Sequence, residues 1–207
     1  MKPAHQKTKK QKTESNDAVL AHYFPQLKQE IEGFEKNRDE LIALSNKIIQ
    51  VSKEIIYATH RKEFSAAEQK VKDADKMLGR MRHAVEQDPK LDIGAYKVAV
   101  QEFVEALCYL RFMQEERLPT HKELNAGAEY YLLGICDFVG ELSRAAMNAA
   151  IANDHALVER IRTFVGILHD ELMQINFRNG ELRKKVDGVR YETQKLDNLL
   201  FQLKLKK

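Results

Sequence analysis

The chain has 207 residues, of which 43% are hydrophobic and 31% charged, with no Trp, four Pro, nine Gly and two Cys. That length suits one domain with at most an appendage, and the composition is too apolar for a disordered chain. The net charge of +3 looks too balanced for a nucleic-acid-binding protein, but it hides an asymmetry. Residues 1–13 hold five lysines (Lys2, Lys7, Lys9, Lys10 and Lys12) and no acid, so the remaining chain carries −2. No apolar run reaches the about 18 residues of a transmembrane helix. The basic N-terminus lacks the apolar core of a secretory signal and the arginine-rich pattern of a transit peptide. Cys108 and Cys136 lie inside apolar helical stretches and form neither a CxxC knuckle nor a disulfide framework. A reducing, cytoplasmic or nuclear setting is expected.

Residues 1–17 read as a polar, basic, disordered tail, with a solubilising role the plainer reading of its charge. From residue 18 to 207 the periodicity is helical nearly everywhere. Leu27, Ile31, Phe34, Leu41, Leu44, Ile48, Val51 and Ile55 step by three, four or seven, which places one apolar stripe along a long first helix. A second helix is predicted over about 64–86, before a break at Pro89 and Gly94. A third covers about 92–116 and gives way to a loop or one short helix between Pro119 and Gly127. A fourth covers about 128–151, a fifth about 154–176 after Asn153-Asp154, and a last one runs from beyond Asn179-Gly180 to about 204. No segment alternates like a strand. The expected fold is all-α, with long antiparallel helices joined by short loops. Such stripes also suit a plain helical scaffold that packs against partners.

Charges inside apolar runs are the informative residues. The third helix, AYKVAVQEFVEALCYLRFM, is interrupted by Glu102 and Glu105 at i, i+3. The fourth, EYYLLGICDFVGELSRAAM, is interrupted by Asp137 and Glu141 at i, i+4. On a helix Val98, Glu102, Glu105 and Tyr109 share a face, as do Tyr130, Gly134, Asp137, Glu141, Arg144 and Asn148. Two consecutive helices thus each offer a carboxylate pair from a hydrophobic segment. Bringing them together costs hydration and repulsion, which is offset by protonation, by Arg pairing or by a shared hard cation such as Mg²⁺. A cation held there lowers the pKa of water and stabilises the oxygens of a phosphodiester under attack. The plain alternative is salt bridging, Glu102 with Lys97 and Glu141 with Arg144. Gly134 and Gly140 sit mid-helix, where each costs ~1 kcal/mol relative to Ala. Gly134 lies on the Asp137 face, where another backbone or a ligand can approach closely, with close helix packing at least as good a reading.

QEFVEA (101–106), YYLLGICDFVGELSR (130–144) and RDELIALSNKIIQVSKEIIYATHR (38–61) resemble translin-associated factor X (TRAX). FRNGELRKKVDGVRYETQKLDNLL (177–200) resembles translin itself, and the likeness spans about residues 26–205. The resemblance implies an all-α fold of about seven helices. It also implies assembly into closed, typically octameric shells that enclose nucleic acid, and Mg²⁺-dependent endoribonuclease activity on single-stranded RNA. Carried over position by position, the acidic catalytic and metal-holding residues are Glu102, Glu105, Asp137 and Glu141. Mn²⁺ is the substitute cation. Translin proper lacks this acidic set and binds single-stranded RNA or DNA without cleaving it. An insertion found between the motif helices of animal TRAX is missing here. The translin-like C-terminus suits a homo-oligomer that combines both roles, and the need for a separate translin subunit stays open.

RNA contacts then fall to local cationic clusters. One is Arg61-Lys62, supported by Lys70, Lys72, Lys76, Arg80 and Arg82. Another is Arg178, Arg183, Lys184, Lys185 and Arg190. Such cations give salt-sensitive, sequence-tolerant binding, although Glu68, Asp73 and Asp75 interleave the first cluster. Arg144 shares the acidic face, where it either holds a phosphate or pairs with Glu141. Tyr130, Tyr131 and Tyr191 are candidates for base stacking, with core packing the plainer role. The histidines show no zinc spacing, and no phosphate-cradling glycine loop occurs. Cys108 and Cys136 are expected on other faces, buried and inert.

Overall fold

The computed structural model describes residues 16–205. The proposed basic tail lies outside the described residues except for Asn16 and Asp17, which open the first helix. Six α-helices follow in order: α1 (Asn16–His60), α2 (Phe64–Gln87), α3 (Gly94–Glu115), α4 (Ala128–Ile151), α5 (His155–Met173) and α6 (Glu181–Leu205), with a 3-10 turn at Pro89–Leu91. The all-α expectation holds, and no strand occurs among the described residues. The 3-10 turn starts where Pro89 was read as a break, and Asp88 caps it by accepting from the Lys90 N–H. Asp154 caps α5 in the same way, accepting from the Leu157 N–H. α5 stops at Met173, short of the predicted 176. Residues 118–127 form turns and extended backbone, with Thr120 and Glu123 bonded reciprocally.

The chain divides into two units, one ending at Glu40 and one running from Leu41 onward. In the first, α1 exposes Leu20, Tyr23, Phe24, Leu27 and Ile31, the last at 62%. Burial of the α1 stripe begins in the second unit, where Leu41, Ile48 and Ile55 are at most 2% exposed. The predicted stripe is continuous in sequence, but Leu27 and Ile31 are exposed whereas Leu41, Ile48 and Ile55 are buried.

In the second unit α4 is the central helix, packed on α3, α5 and α6. Its sequence explains this position: Leu133, Ile135, Phe138, Val139, Leu142, Ala145 and Ala146 give it apolar side chains around most of its circumference, all buried. Phe112, Phe138 and Phe164 meet in tilted and edge-on contacts, with centroids 4.8–6.1 Å apart, where α3, α4 and α5 converge. Gly134 lets α3 approach α4. A Cβ there would stand 2.7 Å from both the Gln101 carbonyl oxygen and the Val104 Cβ. Close packing accounts for this glycine. It leaves Gly140 unexplained, because nothing lies within 4 Å of a Cβ at that position. No helix among the described residues is long and apolar enough to cross a membrane.

Candidate active site

The α3–α4 approach at Gly134 aligns the two carboxylate pairs. Glu102 and Glu105 from α3 and Asp137 and Glu141 from α4 all line one cavity of about 560 Å³. α6 closes it with Lys185, Gly188, Val189 and Glu192. The sequence pairs are thus brought together, while the α6 wall was not anticipated. Its signal was available, since Lys185, Val189 and Glu192 recur at helical spacing on one face.

Asp137 is the most heavily engaged acid. The Lys185 ammonium donates to both of its carboxylate oxygens at 2.6 Å, and the buried Gln101 amide donates at 2.5 Å. Lys185, expected among the phosphate-binding cations, therefore points into the acidic cavity. Glu141 accepts from the His60 imidazole at 2.7 Å, and the Arg144 guanidinium stands 3.5 Å away. The Tyr109 hydroxyl lies 2.8 Å from the other His60 nitrogen. Since a carboxylate only accepts, His60 donates its Nε2–H to Glu141, and Nδ1 shares the second hydrogen bond with the Tyr109 hydroxyl. His60 and Tyr109 thereby fix the orientation of Glu141, a role that no motif spacing announced.

Among the described residues Glu102 and Glu105 have no hydrogen bond or ion pair of this kind. Burial raises the Glu102 carboxyl above its ordinary value, with Lys53 opposing and Asp137 adding to the shift. Glu105 is pushed up to about 8, by burial first and then by the negative charges of Asp137, Glu102 and Glu141. At neutral pH Glu105 therefore holds a proton. Among the described residues no three His, Cys, Asp or Glu side chains are drawn together tightly enough to hold a metal ion. The physical reason is charge balance. Lys185 neutralises Asp137, protonation neutralises Glu105, and the carboxylates have no need to converge.

The other candidates are placed as follows. Arg61 forks onto Glu63 at 2.8 and 2.7 Å. Lys62 is exposed and adopts the left-handed conformation, φ 60°, that ends the α1–α2 turn. Arg183 pairs with Asp187 one turn on, at 3.0 Å. Lys184 is exposed with no ion pair among the described residues. In the supporting cluster Lys70 is tied to Glu54, and Arg82 donates to the Leu124 carbonyl and stands 3.6 Å from Asp75, one of the interleaved acids. Lys97 pairs with Glu181 rather than Glu102. The hydroxyls of Tyr130 and Tyr131 donate to Asp92 and to the Pro119 carbonyl, whereas Tyr191 is 65% exposed. Both cysteines are buried. Cys136, expected on another face, lines the acidic cavity, where burial pushes its thiol up to about 12.

Against known proteins, the sequence model of the translin family matches residues 36–207. Translin of Gallus gallus is 33% identical over 78 residues, covering 38% of this chain and 34% of that protein. Translin of Pongo abelii is 29% identical over 102 residues, covering 49% and 43%. These matches span less than half of either translin. An uncharacterized protein of Methanocaldococcus jannaschii is 29% identical over 161 residues, 72% of this chain and 68% of that one. Among solved structures, the AfC3PO–duplex RNA complex superposes with a TM-score of 0.82 at 24% identity, covering 89% of this chain and 98% of that one. Apo-NeC3PO gives 0.82 at 24%, covering 86% and 96%. At that identity the likeness shows the fold.

Proposed function

The chain belongs to the translin family, and on that premise we propose that it is a TRAX-type, divalent-cation-dependent endoribonuclease that binds single-stranded RNA or DNA and cleaves the RNA. The observation that carries this reading is the meeting of Glu102, Glu105, Asp137 and Glu141 in one cavity. Four carboxylates in one partly buried space are costly unless charge is offset, and Lys185 and the Glu105 proton offset only two of them. The duplex RNA in the AfC3PO complex supports RNA as the ligand class. The exposed apolar residues of α1 support self-association, in keeping with a homo-octameric shell or a mixed one with a translin subunit.

By chemistry the donor set suits Mg²⁺ or Mn²⁺, being all hard oxygen, and its carboxylates would have to draw closer than they stand among the described residues to hold one. Glu102, Glu105, Asp137 and Glu141 would hold the cation. Bound there, it would lower the pKa of water and neutralise charge that builds on the phosphodiester oxygens. The chain's own groups do the rest. With a cation held there, Lys185, now bound to Asp137, would be free to donate to a phosphate oxygen, and Glu105 would act as a carboxylate, its proton passing to solvent. His60 and Tyr109 keep Glu141 oriented. Arg144, half-exposed at the rim, is placed to take a second phosphate oxygen.

The test is cleavage of end-labelled single-stranded RNA with Mg²⁺ or with EDTA, for the wild type and Asp137→Asn. In-line attack by water gives 5′-phosphate and 3′-hydroxyl ends, and the variant loses at least about 100-fold in rate. Cyclic phosphate ends, or cleavage that persists in EDTA, would falsify the mechanism. A second reading, nucleic-acid binding without cleavage, is favoured by one observation, the engagement of Asp137 by Lys185 and Gln101. It gains if the wild type binds RNA with a steep salt dependence and leaves it intact.

A further inference from the structure

A second cavity, of about 530 Å³, runs between α4 and α6. It shares two wall residues, Gly140 and Glu192, with the acidic cavity, so the two adjoin along one α4–α6 groove. Its chemistry is different. Met147, Leu196 and Leu199 supply apolar surface, Asn198 and Gln202 supply side-chain amides, and Arg144 stands at the end nearer the carboxylates. The volume falls within the about 300–1,000 Å³ usual for small-ligand sites.

We propose that this groove is a nucleoside subsite, which takes the base and ribose of the nucleotide next to the phosphodiester held in the acidic cavity. The inference rests on the nuclease reading of that cavity. Gly140 is its first support. A mid-helix glycine costs ~1 kcal/mol relative to alanine, and packing does not explain this one, since a Cβ would meet nothing within 4 Å. It lines both cavities at their junction, where a side chain would intrude on a strand passing from one to the other. Ser143, on the same groove, is the second. It is 7% exposed, and its hydroxyl has no hydrogen-bond partner among the described residues. The third is the donor set. An amide offers a donor and an acceptor together, so Asn198 and Gln202 pair with the edge of any base. Leu and Met accept the face of an aromatic ring. Arg144, 3.5 Å from Glu141 and 5.8 Å from the centre of the Tyr57 ring, sits where the linking phosphate would pass. A groove built this way holds a base without selecting one, so it confers little sequence preference.

Calorimetric titration of the full chain with adenosine and uridine 5′-monophosphates tests the subsite, with ribose 5-phosphate as the base-free control. Both nucleotides should bind about tenfold or more tightly than ribose 5-phosphate, an advantage that the base alone supplies. Leu199→Trp, which fills the groove, and the surface double variant Asn198→Ala/Gln202→Ala should each remove that advantage. The second variant alters exposed side chains only, so it decides the matter even where the first disturbs folding. Equal affinity for nucleotide and ribose phosphate, or an advantage that survives the double variant, overturns the proposal. So does a Leu199→Trp protein that binds nucleotide normally but changes its mass by light scattering, because the groove is then covered by another copy of the chain. Asp137→Asn separates the two claims. Loss of cleavage with mononucleotide binding intact supports both readings. Base-dependent binding in a protein that never cleaves RNA keeps the subsite and removes the nuclease.

Discussion

Glu105 is the residue whose setting most clearly costs stability. Its folded carboxyl titrates near 8, against about 4.3 in an unfolded chain. Between those values the folded state binds the extra proton, so stability falls as pH rises from about 4.5 to 8. Glu105→Gln removes that dependence. In EDTA the variant should be more stable than wild type at pH 8 by on the order of a few kcal/mol and nearly equal to it at pH 4.5. Thermal melts across that range check the sign. Lys185 supplies the opposite lesson. Its replacement, Lys185→Met, leaves Asp137 with only the Gln101 amide. The expected result is a loss of about 1–3 kcal/mol in EDTA, recovered on adding Mn²⁺, with Mn²⁺ bound more tightly than by wild type in calorimetry. Equal Mn²⁺ affinity in the two proteins would show that Lys185 and the cation do not compete.

The two glycines of α4 look alike in sequence, and the helices they touch distinguish them. Gly134 faces α3 at a distance that a methyl group violates against both a backbone oxygen and a Val Cβ. The carbonyl belongs to Gln101, the residue that anchors Asp137. Gly134→Ala should therefore cost about 1–3 kcal/mol and disturb the acidic cavity with it. Gly140→Ala meets no neighbour and should add about 1 kcal/mol of helix stability, while narrowing the passage between the two cavities. Paired denaturant melts distinguish them, and opposite signs are the expected outcome. The helices themselves were readable from periodicity and from Pro89, Asn153-Asp154 and Asn179-Gly180. Their ends shifted by a few residues, as at Met173, because the last turn depends on packing rather than on pattern.

At the scale of the whole molecule, the exposed row on α1 matters most. Leu20, Phe24, Leu27 and Ile31 are spaced as one helix face and are each about half or more exposed. A face of that kind is a candidate for cover by another chain. Phe24→Glu combined with Ile31→Lys should reduce the particle mass measured by light scattering, with helical content retained by circular dichroism. An unchanged mass would place the oligomer contact elsewhere. The charge distribution of the molecule also takes on a definite form. The near-neutral total contains an acidic cavity partly neutralised from within by Lys185, together with exposed cations such as Lys62 and Lys184.

The sequence by itself determined the helical class, the helix order and the four carboxylates. These are local matters: a 3.6-residue period and a charge set in an apolar run are visible along one strand of text. Tertiary structure decided the rest. That Lys185 and Glu192 of α6 complete the site depends on a contact across 48 residues, and that His60 orients Glu141 on one across 81. No local pattern encodes which helix faces which. Periodicity was also blind to where the α1 stripe stops being covered by its own chain. An apolar face has the same period whether it is buried in its own fold or against another chain, and only the packed structure distinguishes Leu41 from Ile31.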